Sequence, residues 1–314
     1  MLALGNVELV TFMNGFDEEA IRKFKASGRI LHETREDMKR FVREGMLTID
    51  VCEKAESLIR KKGGMPAFPC NVSINEIAAH YTSPPNDESR IPEKSVVKVD
   101  IGVHLDGYVT DTAVTLCFDP EYKSLVDTAE QALETALNAI RPGVSTSRLG
   151  AIIEKAIKTR GFKPISNLTG HQIGRYAIHA GMSIPNVAHV SVFSRLKLGR
   201  VYAIEPFVTL PNAVGKVENA DEMTIFRFLK RRSLKNPHAN QLLEYIEKNF
   251  RTLPFAERWL QSVLAKEHLS KALEELLSAK TVMGYPVFVE ASGKTVAQAE
   301  HTLLTVKNGC VVLT

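Results

Sequence analysis

The stretch VKVDIGVHLDGYVTDTAV, residues 97–114, decides the reading of this chain. Val97, Val99, Ile101, Val103 and Leu105 alternate with Lys98, Asp100, Gly102 and His104, which is the period of a β-strand. Asp106-Gly107 then supplies the two-residue signal of a tight hairpin. If Leu105 pairs with Tyr108, Asp100 falls opposite Ala113 and Asp111 opposite Gly102, so the two carboxylates share a face as diagonal neighbours. Two unpaired negative charges so placed force one group to take up a proton, and a divalent cation removes that conflict. On the hairpin alone the alternative is a solvent-exposed face that carries acids, and a three-residue turn would break the pairing.

The flanking segments repeat one pattern. Asp17 can cap a helix over 17–44, with Glu18 and Glu19 in its first turn, Ile21, Phe24, Leu31, Met38 and Phe41 on one face, and Gly45 as its stop. A second helix runs from Thr48 to Lys62 on Val51, Ala55, Leu58 and Ile59, ended by Gly63-Gly64. Extended segments follow, the quoted hairpin last. After it, Asp119-Pro120-Glu121 opens a helix through Leu125, Val126, Ala129, Leu133, Leu137 and Ile140, and Ser147 opens a fourth that Gly161 closes. Extended stretches return around 167–171, 201–207 and 223–229.

Two helices and then strands, twice over, predict a pseudo-symmetric α+β domain, with helices covering one face of a mostly antiparallel sheet. Residues 230–282 break the pattern with amphipathic helical stretches (HANQLLEYIEKNF, FAERWLQSVL, SKALEELLSAK) and read as an insertion. The expected organisation is a catalytic domain of residues 1–229 and 283–314 around a helical subdomain of residues 230–282. A type I′ hairpin at Asn308-Gly309 is expected to close the chain.

The 314 residues are 44% hydrophobic and 24% charged, an ordinary globular composition. A net charge of +4 is too mild to argue for nucleic acid, and no DNA binding is expected. One basic cluster, Lys230, Arg231, Arg232 and Lys235, reads as solvated surface, with a ribosome or RNA contact as the alternative. Cys52, Cys70, Cys117 and Cys310 lack paired spacing and suit reduced thiols in the cytoplasm. No run approaches a membrane span, and the N-terminal stretch, with Glu8 among its apolar residues and no basic residue before Arg22, lacks a secretory pattern. The sequons at Asn71 and Asn167 are then chance matches.

More ligands are needed if the hairpin holds a cation. His171 after LTG, Glu205 in YAIEPF and Glu300 in AQAEHT occupy strand positions among apolar neighbours. With the two aspartates they would suit a pair of divalent ions such as Mn, Fe, Co or Zn. Taken singly, each is more often a surface or hydrogen-bonded residue.

The segments KVDIGVHLDGYVTDTA, GHQIGRYAIH, AIEPF and AQAEHT, in that order, resemble those of the methionine aminopeptidases, over nearly the whole chain. The resemblance implies the pita-bread fold and a dinuclear centre in which Asp111 and Glu300 bridge two metals, Asp100 completes one site, and His171 and Glu205 the other. It implies release of initiator methionine from nascent chains when the next residue is small, by a metal-bridged hydroxide with Glu205 as proton shuttle. His80 and His179 take the place of donors to substrate and tetrahedral intermediate, and Phe68, Ile178 and Tyr285, with the two histidines at the rim, that of the methionine pocket. The helical insertion resembles that of the type II branch, and the short N-terminus the archaeal form. Ala299 departs from the pattern, where the family commonly has a bulky Phe. A prolidase or X-Pro aminopeptidase of the same fold, and a dead relative serving as a binding module, are the competing readings; the second predicts lost ligands, and none is lost.

Overall fold

The computed structural model describes residues 16–189 and 194–314; the N-terminal stretch around Glu8 lies outside the described residues. Asp17 caps α1 (Glu18–Phe41), its carboxylate accepting from the Ala20 amide at 2.7 Å. The helix stops ahead of Gly45, because Val42 already turns extended. Then come α2 (Thr48–Lys61), β1 (Met65–Ile74), β2 (Ile77–Ala79), β3 (Val96–Leu105) and β4 (Tyr108–Cys117). The β3–β4 register is the one the turn chemistry predicts: Leu105 faces Tyr108, Asp100 faces Ala113 and Gly102 faces Asp111. Asp106 and Gly107 both have positive φ (51° and 86°), as a type I′ turn requires.

Val97, Val99, Ile101 and Val103 pack with Leu31, Met38, Val51, Ala55 and Ile59 of the two helices, so the apolar face of the hairpin is the helix-covered one. The face carrying Asp100 and Asp111 turns inward. Asp111 is only 4% exposed, which removes the reading of a solvated acidic face.

The second half repeats the plan. Asp119 caps a 3₁₀ turn over Pro120–Tyr122 that leads into α3 (Lys123–Ala139), followed by α4 (Thr146–Thr159). The cap of α4 is Ser145, which accepts from the Arg148 amide at 3.2 Å; Ser147, the expected opener, lies inside the helix. The strands are β5 (Lys163–Pro164), β6 (Thr169–Ile173), β7 (Ser183–Pro185), β8 (Val201–Ile204), β9 (Phe207–Thr209) and β10 (Val217–Phe228). Leu125, Ala129, Leu133, Leu149 and Ile153 of the helices pack on Tyr202, Ile204, Ala297 and Leu303, forming a second core with the same helix-on-strand layout as the first.

Next come α5 (Pro237–Phe250), β11 (Phe255–Ala256), a 3₁₀ turn at Glu257–Leu260 and α6 (Lys266–Ser278), which bury Leu242, Leu243, Ile246, Phe255, Leu260, Leu269 and Leu273 together. FAERWLQSVL is thus a short strand and turn where a helix is expected. Leading out are β12 (Val282–Glu290), β13 (Val296–Gln298), β14 (His301–Val306) and β15 (Gly309–Val312). The helical segment leaves and returns through one antiparallel pair, Phe228 opposite Val282. The last hairpin turns at Lys307-Asn308, since Val306 pairs with Gly309. Thr314 accounts for the shift: its hydroxyl accepts from the Thr302 amide at 3.1 Å, and the Leu313 amide donates to Thr302 O at 2.8 Å, fixing the strand two residues from the expected register.

Asp87 anchors the loop after His80 to the start of α2. Its carboxylate accepts from Thr48 Oγ1 and Tyr81 OH, both at 2.9 Å, and from the Ser89 amide. Burial alone would raise its pKa, but the hydrogen bonds from Ser89, Ser83 and Thr48 outweigh that and hold it down at about 2. The stabilisation is therefore present above the unfolded value near 3.9 and is lost as pH falls through 4 toward 2. Asp87→Ala is expected to lower the urea midpoint at pH 7, with the gap to the parent protein narrowing at pH 4 and pH 3.

Candidate metal centre

Each candidate ligand owes its place to a local feature of the backbone. Asp100 and Asp111 come from the hairpin. His171 sits in β6, opposite Ala203 of β8. Glu205 occupies the break between β8 and β9, and Glu300 the break between β13 and β14. The two breaks lie side by side, because Ile204 pairs with His301 and Phe207 with Gln298. Where both ladders are interrupted at one level, two carboxylates can turn inward together.

The halves are stitched at this point by threonines. The Asp111 amide donates to Thr302 Oγ1 and that hydroxyl donates back to Asp111 O, each at 2.8 Å. Thr112 Oγ1 donates to Glu300 O at 2.7 Å, and the Glu300 amide donates to Ala113 O at 3.2 Å. Candidate ligands from the second and last quarters of the chain are thereby held in one frame.

A cavity of about 80 Å³ is lined by Phe68, His80, Asp100, Asp111, His171, Ile178, His179, Glu205, Tyr285 and Glu300, so all ten residues singled out in the sequence meet there. Asn71, Ala79, Ile225 and Pro254 line it as well, and sequence reasoning missed these four. Ligand atoms of Asp111, His171 and Glu300 lie within 4.8 Å of one another. His171 Nε2 is 3.4 Å from Glu205 Oε1 and 3.7 Å from Asp111 Oδ2. Burial and the neighbouring His179 lower the His171 pKa to about 3, so the ring is neutral and these contacts are not ion pairs. Its Nδ1 bonds Ile178 O at 2.8 Å and can do so only as a donor, which fixes the tautomer and leaves Nε2 as a lone-pair donor in the cavity.

The carboxylates are under the opposite pressure. Burial pushes Asp100 up to about 7. Burial, together with the charges of the other carboxylates, raises Asp111, Glu205 and Glu300 well above the ordinary range. Asp100 Oδ1, Asp111 Oδ1 and Glu300 Oε1 are buried without a hydrogen-bond partner among the described residues. Unpartnered buried carboxylate oxygens beside a neutral imidazole nitrogen fit divalent cations, which would supply the missing partners and the missing positive charge.

Around this cluster the walls divide by chemistry. His80 has φ +67°, a left-handed conformation rare for a residue with a side chain. Its ring lies 4.5 Å from that of Phe288, and Nδ1 has no hydrogen-bond partner among the described residues. Burial and His179 lower its pKa to about 4. His179 stands at the open rim, 4.5 Å ring to ring from His171. Phe68 and Ile178 are buried, and Tyr285 flanks His80 at 5.6 Å between rings. Gly102 is required here, because a Cβ would stand 2.2 Å from the Phe68 ring.

The arrangement is a cluster of buried carboxylates and an imidazole, of a kind that suits divalent cations, beside a small apolar pocket. The model of metallopeptidase family M24 matches residues 22–226. A methionine aminopeptidase of Methanocaldococcus jannaschii is 42% identical over 296 residues, covering 94% of this chain and 99% of that protein. The chain belongs to metallopeptidase family M24, in its methionine aminopeptidase branch. Among solved structures, a thermophilic Arx1 superposes with a TM-score of 0.81 at 18% identity, covering 95% of this chain and 91% of that one. A methionine aminopeptidase of Thermotoga maritima superposes with 0.69 at 22% identity, covering 95% and 98%. At such identities these structures speak to the fold, which is the expected pita-bread fold. No helix among the described residues is long and apolar enough to cross a membrane.

Proposed function

We propose that this chain removes the N-terminal methionine of nascent proteins and peptides when the second residue is small, as a cytoplasmic metallo-exopeptidase. One observation carries the reading: five potential ligands from four separate parts of the chain, the two histidines and an apolar pocket line a single cavity. Two divalent ions, of Mn, Fe, Co or Zn, would be held by Asp100, Asp111, His171, Glu205 and Glu300. Such ions supply Lewis acidity and make water a nucleophile near neutral pH.

The chain's own residues do the remainder. Phe68, Ile178 and Tyr285 take up the unbranched methionine side chain, which fits a small pocket by size and apolarity. Glu205, beside the attacked carbon, takes the proton of the attacking water and passes it to the leaving nitrogen. His80 and His179, neutral because desolvation lowers their pKa, donate N–H to the substrate and to the oxygen where negative charge develops. A bulky second residue is expected to clash beyond the cleaved bond.

On this reading residues 230–282 form the helical insertion of the type II branch. The exposed Lys230, Arg231, Arg232 and Lys235 at its start are where a ribosome contact would fall.

The test is hydrolysis of peptides beginning Met-Ala, Met-Lys and Ala-Pro by chelated protein, with each metal restored in turn. Methionine release from Met-Ala alone, dependent on metal, is the expected result. Cleavage of Ala-Pro alone moves the chain to the prolidases, and no cleavage with any metal moves it to the binding modules.

A further inference from the structure

Asn71 stands directly opposite Asp100 in the β1–β3 ladder, is 3% exposed and lines the metal cavity. Regular alternation would place it on the opposite face from Phe68, three residues earlier. The register shifts between Phe68 and Asn71, where three steps along β1 match two along β3, from Gly102 to Asp100, and this irregularity brings both side chains to the cavity.

Its Nδ2 donates to Asp100 Oδ2 at 3.3 Å. When Asp100 is ionised, as a cation ligand must be, its oxygens only accept, so the amide presents its NH₂ group. Asn71 Oδ1 has no partner among the described residues, so the hydrogen bonding of this buried amide is directed at Asp100. Asp100 in turn has one oxygen engaged by Asn71 and the other, Oδ1, without a partner among the described residues.

We propose that Asn71 is a positioning residue for the metal site: it pins Oδ2 of Asp100 and so fixes Oδ1 as the oxygen presented to the cation. The inference rests on Asp100 being a metal ligand. Groups of this kind, one bond removed from the metal, typically govern affinity by about 10–100-fold.

The experiment is calorimetric titration of chelated protein with Mn²⁺, comparing the parent with Asn71→Leu, Asn71→Ala, Asn71→Ser and Asp100→Asn. The parent is expected to show two binding events and Asp100→Asn to lose one. Asn71→Leu, matched in size, should weaken one event by about 10–100-fold while the melting temperature of the metal-free protein stays close to the parent's. Asn71→Ala, which introduces no bulk, should weaken it likewise, and Asn71→Ser, keeping a donor, should recover part of the affinity. Parent-like affinities in the Leu and Ala variants, with a site still lost in Asp100→Asn, would overturn the role of Asn71 and leave the ligand reading intact. Two parent-like events in Asp100→Asn, or no binding by the parent, would overturn the ligand reading and this inference with it.

Discussion

Asp111→Asn is expected to abolish hydrolysis and at the same time to stabilise the metal-free protein. The loss should be at least about a thousandfold in kcat/KM, because metal-based charge stabilisation is worth several kcal/mol and each 1.4 kcal/mol is tenfold. The stability gain has the same origin. Asp111 is 4% exposed and shares its cavity with Asp100, Glu205 and Glu300, and without a cation its pKa is driven well above the usual value by burial and by the charges of Asp100 and Glu205. The unfolded chain has no such penalty, so in the folded metal-free protein Asp111 retains a proton that unfolding releases. Stability from such a group is present at low pH and is lost as pH rises from the unfolded value near 3.9 through the raised folded one. Asparagine neither ionises nor repels. The advantage of Asp111→Asn over the parent, measured by denaturation in chelator, should therefore be small near pH 5 and grow toward pH 8. With saturating Mn²⁺ the order should reverse, since the parent then gains the free energy of metal binding. Equal stability at all pH values with chelator present would show that the carboxylates are not crowded together as the geometry requires.

What the sequence discloses is whatever local chemistry dictates. The β3–β4 register is legible because Asp106-Gly107 admits one tight turn and the alternating valines admit one buried face. Helix α1 is legible from Asp17 and its apolar spacing. The convergence of Glu205 and Glu300 with that hairpin is a tertiary fact: it depends on two paired strand breaks and on Thr112 and Thr302 crossing between the halves, none of which has a periodic signature. Family likeness supplied that step, where spacing could not. Asn71 has no legible sequence signal, because a register shift in β1 breaks the two-residue period that would otherwise relate its face to that of Phe68. The final turn lies one residue before the strong local signal Asn308-Gly309, because the register is set by Thr314 from outside the hairpin. FAERWLQSVL has helical composition, yet Arg258 and Trp259 are engaged by Glu56 of α2, which holds the segment in a 3₁₀ turn against the catalytic half.

That engagement sets the largest expected effect on stability. Arg258, 8% exposed, bonds Glu56, itself 3% exposed, through Nη2, and donates through Nη1 to Thr82 Oγ1 at 2.8 Å and Ser83 O at 3.0 Å. Glu56 also accepts from Trp259 Nε1 at 2.7 Å and from the Cys70 amide at 3.1 Å. Removing one partner of a buried pair leaves the other charge unmatched, at a cost of about 3–5 kcal/mol, whereas replacing both by apolar groups of like volume is often neutral. Arg258→Met should therefore lower the unfolding free energy by about 3–5 kcal/mol, and Glu56→Leu by a similar amount through the lost Trp259 and Cys70 bonds. The double variant should cost clearly less than the two single losses combined, which a urea-denaturation cycle measures directly. The effect should also reach the active site. Thr82 receives Arg258 on one side, and on the other its amide donates to Thr224 Oγ1 at 3.2 Å, a hydroxyl that in turn donates to His80 O at 3.4 Å. His80 is held in a left-handed conformation that isolated chains avoid, so it depends on neighbours that restrain it. Arg258→Met should accordingly lower kcat at temperatures where the variant is still fully folded, and the double variant should recover stability without recovering kcat, because the bonds to Thr82 and Ser83 are absent in both. Full recovery of kcat in the double variant would show that the buried pair supports the fold alone and has no hold on His80.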